Sequence, residues 1–157
     1  MDYFLLKWLH VLGSTVLLGT GAGIAFFMLM AHRTGDVRLI AGVARIVVIA
    51  DYVFTTTAVI TQPITGVLLA RTTGYALTEG WIVVSILLYL LTGAVCLPVV
   101  RMQSRMRNLA IEAARTETAL PAQYHRLFRW WFAFGFPAFT AVLAIFWLMI
   151  TRPEIHL

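Results

Sequence analysis

Residues 3–31 read YFLLKWLHVLGSTVLLGTGAGIAFFMLMA. Lys7 is the one charged side chain in a run longer than the roughly 20 residues that an α-helix needs to cross about 30 Å of hydrocarbon. A stretch of this kind predicts a helix buried in a bilayer. Three further apolar runs follow, and the four together place the expected spans at 3–31, 46–71, 81–100 and 126–151.

Composition supports that reading. Of the 157 residues, 61% are hydrophobic and 12% are charged, with a mean hydropathy of +0.86, whereas a soluble domain is about half apolar and a quarter charged. The expected fold is all-α: a single domain over residues 1–157, an integral membrane four-helix bundle of up-down topology, with a long second helix and a cytoplasmic extension of the third. The opening Met1-Asp2-Tyr3-Phe4 lacks the basic start and small-residue cleavage site of a secretory signal, and its apolar run is too long for one. The first helix is therefore expected to be retained.

Turn signals divide the runs. His32-Arg33-Thr34-Gly35-Asp36 closes the first helix, and Asp36 is placed to cap a second running from about Val37 to Arg71, with Pro63 expected to kink it. The third span opens at Trp81 and continues past Val100 as a basic helix through Arg101, Arg105, Arg107 and Arg115. Pro121 precedes the fourth, which starts near Tyr124, carries Pro137 and ends at Thr151-Arg152-Pro153. Two helical hairpins in succession leave a weak internal duplication open.

The formal charge of +5 and pI near 10 raise the question of nucleic acid, but the cations flank apolar segments rather than forming a solvated patch. Of the 12 Lys and Arg residues, Arg33, Arg38, Arg45, Arg101, Arg105, Arg107, Arg115, Arg126 and Arg129 border the first and third connections. Lys7, Arg71 and Arg152 fall at the other end. The positive-inside rule puts the arginine-rich connections in the cytoplasm and both termini outside a bacterial inner membrane. Tyr3, Trp8, Trp81 and Trp147 stand where an outer aromatic belt belongs. The lone cysteine, Cys96, excludes an intrachain disulfide or a thiolate metal cluster. No phosphate-cradling glycine loop, HExxH or nucleophile elbow is present, which argues against nucleotide chemistry and hydrolysis.

Ionisable and polar groups within spans carry the functional signal, since placing them among lipid tails is costly. His10 shares a helical face with Ser14, Leu17 and Gly21, with Gly13 beside it. A neutral imidazole on a small-residue face suits an axial ligand of haem iron, and equally an interfacial histidine bonded to a neighbouring helix. Gly19 and Gly23 form a small-xxx-small pair read as packing. Asp51, Thr55, Ala58, Gln62 and Gly66 form one inward polar stripe, either a proton or substrate path or, at Asp51, an ion pair with an arginine such as Arg45. Ser85, Tyr89, Thr92 and Cys96 repeat the pattern on the third helix, as packing bonds or a pocket lining. His125 and Arg129, among Arg126, Trp130 and Trp131, suit an anionic headgroup, haem propionate or quinone, or serve only as topology anchors.

The segments Tyr3 to Gly13, Asp51-Tyr52-Val53-Phe54-Thr55-Thr56 and Tyr124-His125-Arg126-Leu127-Phe128-Arg129 resemble a bacterial family of predicted integral membrane proteins of unknown function, over nearly the whole chain. More distantly, Lys7-x-x-His10 with Gly13, Thr55-Thr56 leading to Gly66, and Gly80-Trp81 resemble HemJ-type protoporphyrinogen oxidases and CopD-like membrane proteins. That second resemblance implies haem b held by His10. It departs where the oxidase has a functional lysine, since Ser85 occupies that place here, which argues against protoporphyrinogen oxidation.

Two functions stand from the sequence. The first is a haem b (or related tetrapyrrole) protein with an electron-transfer or redox role beside quinone or a membrane redox partner, in which His10, Gly13, Gly21, Gln62, Ser85 and Tyr89 surround the cofactor. The second is a cofactor-free accessory or transport-associated subunit. Both are compatible with assembly of several copies of the chain in the bilayer.

Overall fold

The computed structural model describes residues 2–155, and every regular element among them is helical. Helix α1 spans Tyr3–Thr34, α2 Val37–Ala50, α3 Thr56–Thr73, α4 Gly80–Arg115 and α5 Ala122–Thr151. A π-helical turn, Asp51–Thr55, joins α2 to α3, so the five helices make four rods.

Local chemistry sets the ends. Asp2 caps α1 by accepting from the Phe4 amide, and Gly35 ends it at φ 70°, a left-handed conformation that costs glycine little. Asp36 accepts from the amides of Arg38 and Leu39 at 2.8 and 3.2 Å, satisfying orphan donors of α2 as its position predicts. Pro63 lies within the unbroken stretch of α3. The departure from α geometry in the second rod comes earlier, at the π turn, where the widened ring follows no proline.

Three helices, α1, α4 and α5, are long and apolar enough to cross a membrane. The second rod is not among them: the π turn divides it into pieces of 14 and 18 residues, and α3 is laced with threonines. In the most apolar windows of the three long helices only 11%, 11% and 6% of residues are buried within the chain. Phe4, Trp8, Leu90, Trp147 and Ile150 all point outward. Such a surface needs lipid or protein around it.

The main core lies at the arginine-rich end. Ile24, Met28 and Ala31 of α1 pack there with Ile40, Ala44 and Val47 of α2, Met106 and Ala110 of α4, and Tyr124, Phe128 and Trp131 of α5. All four rods meet in this cluster. Towards the other end the packing resolves into α1 against α3 and α4 against α5, and no Cα of α3 comes within 8 Å of one in α4. Aromatic side chains span that gap. The Tyr89 hydroxyl donates to the Val59 carbonyl, and Trp81 and Ile82 pack with Ala70, Tyr75, Met149 and Ile155. A Cβ on Gly80 would collide with the Ile155 carbonyl, so the Gly80-Trp81 pair seats the tail and plugs the gap.

The ion pairs among the described residues are both exposed: Arg38 with Glu117 at 2.6 Å and Arg115 with Glu112 at 2.7 Å. Fully solvated pairs of this kind contribute little to stability.

Candidate functional site

The polar face of α1 meets that of α3 around His10. The imidazole Nδ1 lies 2.9 Å from Thr65 Oγ1. That hydroxyl has one proton, and it is directed at the carbonyls of Thr61 and Gln62, at 2.8 and 3.2 Å. Thr65 therefore accepts from an Nδ1–H, and the tautomer this network assigns leaves Nε2 as an unprotonated nitrogen. Nε2 has no hydrogen-bond partner among the described residues and is not sealed from the surface.

Gln62 closes the other side. Its amide donates to the His10 carbonyl at 2.9 Å, and its oxygen accepts from Ser14 Oγ at 3.0 Å. The Ser14 hydroxyl also lies 2.8 Å from the His10 carbonyl. Small residues allow this approach. A Cβ on Gly13 would fall 2.4 Å from Gln62 Nε2, and one on Gly66 would sit 3.3 Å from the His10 ring. Gly13 and Gly66 are thus the hollows that receive Gln62 and His10. Gly21, by contrast, faces nothing within 4 Å.

One expected outcome follows. Gly13→Ala should push the Gln62 amide away from the His10 carbonyl and Ser14, leaving buried polar groups without partners at a cost of about 1–3 kcal/mol. Detergent-resistant unfolding followed by circular dichroism would measure it, and an unchanged transition would mean that Gln62 has another rotamer with equal bonding.

The predicted site residues divide between two places. His10, Gly13, Ser14, Gln62 and Gly66 come together, with Thr65 as the member that the sequence reading passed over. Ser85 and Tyr89 do not reach His10: Ser85 Oγ donates to the Trp81 carbonyl within its own helix, and Tyr89 bonds Val59. No Cα of α1 lies within 8 Å of α4. The bond that steadies the His10 ring comes from Thr65. Gln62 instead holds the backbone.

Asp51 makes no ion pair with Arg45, which is exposed; its carboxylate accepts from Thr55 Oγ1 at 2.8 Å. The stripe Asp51, Thr55, Ala58, Gln62 and Gly66 turns inward along its length.

At the arginine-rich end His125 and Arg129 are both exposed. The group that the chain gathers there is different: His32 stacks on Phe128 with ring centroids 3.8 Å apart, lies 5.8 Å from the Tyr124 ring and meets His125 edge-on at 5.6 Å. His32 Nδ1 and the Tyr124 hydroxyl are buried without a partner among the described residues. Both residues lie just beyond the apolar runs. Burial pushes the Tyr124 hydroxyl up to about 12, so it stays protonated. Burial also holds the His32 imidazole below the usual histidine range, and the neighbouring His125 adds a smaller push in the same direction.

The sign of the resulting pH dependence is defined. A base that is harder to protonate folded than unfolded supplies stability above the ordinary histidine value of about 6.5 and loses it as pH falls through and below that value. The unfolding midpoint should therefore drop between about pH 8 and about pH 5, and His32→Phe, which keeps the stack on Phe128, should flatten part of that slope. An identical slope in the variant would place the titration elsewhere.

Among the described residues no three His, Cys, Asp or Glu side chains converge as a metal site. No curated protein and no solved structure matches the chain. A family model covers residues 4–153, from the second residue of α1 to just past the end of α5. The chain is a member of that family, the predicted integral membrane proteins designated DUF2269.

Proposed function

We propose that the chain is a four-span, up-down helical bundle of the bacterial inner membrane, with both termini outside, that binds haem b or a related tetrapyrrole through His10 and serves in electron transfer. The observation that carries this reading is the Nδ1–H bond to Thr65. A ligating histidine characteristically donates its second ring nitrogen to an acceptor, which orients the ring and makes the free nitrogen a better ligand. Nε2 of His10 is left available in that way.

The fit is that of a single-ligand site. Haem b supplies one-electron chemistry at its iron when bound. The chain's own residues would do the rest: Thr65 would hold the ring plane, and Gln62 and Ser14 would lock α1 against α3. Gly13 does not belong to a bed for the macrocycle, because Gln62 occupies its hollow. Ser85 and Tyr89 belong to the α3–α4 gap. A quinone or membrane redox partner is the exchange partner such a site requires.

That same occupation of the Gly13 hollow favours a second reading, a cofactor-free accessory or transport-associated subunit in which His10 and Gln62 are interhelical bonds. An optical spectrum of the protein purified from haem-replete membranes decides between the two. A Soret band in stoichiometric amount supports the haem reading, and its absence leaves the accessory reading.

A further inference from the structure

Asp51 is the one carboxylate within the apolar runs, and it sits in the π turn. Such turns break the helical register and recur where function demands an irregular backbone. No cation answers its charge: among the described residues the ion pairs are the two exposed ones at the arginine-rich end. Its direct donor is the Thr55 hydroxyl.

Beside the carboxylate is a recess of about 10 Å³ lined by Val48, Asp51, Tyr52, Val100, Gln103 and Ser104, the size of one water molecule. Gln103, from α4, is 3% exposed. Chemistry fixes its orientation. The Trp131 indole N–H can only donate, and it lies 3.1 Å from Gln103 Oε1, so the amide nitrogen is turned the other way. That nitrogen is turned towards Asp51 and lies close enough to act on its carboxylate, yet no hydrogen bond of ordinary length and angle reaches it from Asp51 or any other described residue. An unpartnered N–H group on a residue of the recess wall repels a bare metal cation and calls for an oxygen acceptor. A single water meets the need, accepting from Gln103 and donating to Asp51, with Ser104 on the same wall.

Other titratable groups near the site are few. Tyr52 lines it from the π turn, and Cys96 faces Asp51 from α4. Helix α5 presents Trp131, and α1 has no titratable side chain between His10 and His32. Arg45, Arg101 and Arg105 are exposed on the neighbouring turns.

We propose that Asp51, Thr55 and Gln103 form a buried proton-binding site in which one water, held between the Gln103 amide and the Asp51 carboxylate, carries protons to and from the arginine-rich face. A hydronium ion gives its proton to the carboxylate, leaving a neutral carboxyl and water, and the reverse step returns it. No electron moves. Thr55 and Gln103 are positioning residues: one bonds the carboxylate, and the other holds the water.

Infrared difference spectra between acidic and alkaline buffer, taken on the protein in phosphatidylcholine vesicles, test this. A protonated-carboxyl stretch that shifts in D2O should appear and should vanish in Asp51→Asn. Gln103→Leu should keep the band but move it to higher frequency, because the protonated carbonyl loses the donor that reaches it through the water. Asp51→Glu should retain a titrating band at altered frequency, and carries the test if Asp51→Asn fails to accumulate. If neither Asp51 variant alters the carboxyl bands at any pH at which the protein stays folded, the site is overturned. An unmoved band in Gln103→Leu overturns the role of the water.

Discussion

His10→Ala should remove the haem absorbance from the purified protein while leaving its amount in the membrane unchanged. Alanine has no nitrogen to offer the iron, and among the described residues no second imidazole adjoins the site: His32 and His125 belong to the cluster at the arginine-rich end. Insertion should survive, since an apolar substitution within residues 3–31 makes the span no less hydrophobic. Thr65→Val should give a milder phenotype. It removes the acceptor for Nδ1–H but leaves Nε2 in place, and loss of such a supporting partner typically weakens metal affinity about 10- to 100-fold. Haem titration with absorbance readout would rank wild type above Thr65→Val above His10→Ala. Full haem occupancy in His10→Ala would exclude it as the ligand, and a Thr65→Val protein indistinguishable from wild type would detach the tautomer argument from binding.

Ile40→Ala should be among the most destabilising of the simple truncations, by roughly 2–5 kcal/mol. Ile40 is fully buried in the cluster where all four rods meet, so removing its side chain opens a cavity that Met28, Met106 and Tyr124 cannot all close on. Ile46, six residues on, offers the control. It is 66% exposed, and in a membrane its outer face meets lipid tails about as apolar as itself, so Ile46→Ala should cost far less. Thermal unfolding in detergent micelles would compare them. Equal losses at the two positions would show that the arginine-rich end is not the stabilising centre of the chain.

The contrast between these two sites shows where sequence reasoning reaches. The Asp36 cap was legible because a side chain two or three residues before the amides it serves needs no tertiary information. The inward turn of Asp51, Thr55, Gln62 and Gly66 was legible because helical periodicity and the cost of polar groups in lipid point the same way. Thr65 was not singled out, since a threonine adjoining such a stripe usually bonds its own preceding carbonyl. That it does so and also receives the His10 ring depends on how α1 docks on α3. The π turn leaves the hydrophobic pattern of the second rod almost undisturbed, and so it gave no signal; Pro63, the signal that the sequence did carry, lies within α3.

The chain's composition and the length of its apolar runs alone determined that it is helical and belongs in a bilayer, because those properties depend on local hydrogen bonding and on transfer of side chains to hydrocarbon. Only the tertiary structure decided which polar groups meet. It put Gln62 in the hollow of Gly13, Thr65 on His10, Gln103 opposite Asp51, and His32 rather than Arg129 into the aromatic cluster beside Tyr124. Helical spacing specifies a face but not the rotation, depth or neighbour of that face. Those are set by how small and large side chains interlock between rods, and a hydrogen bond a few tenths of an ångström too long is no bond at all.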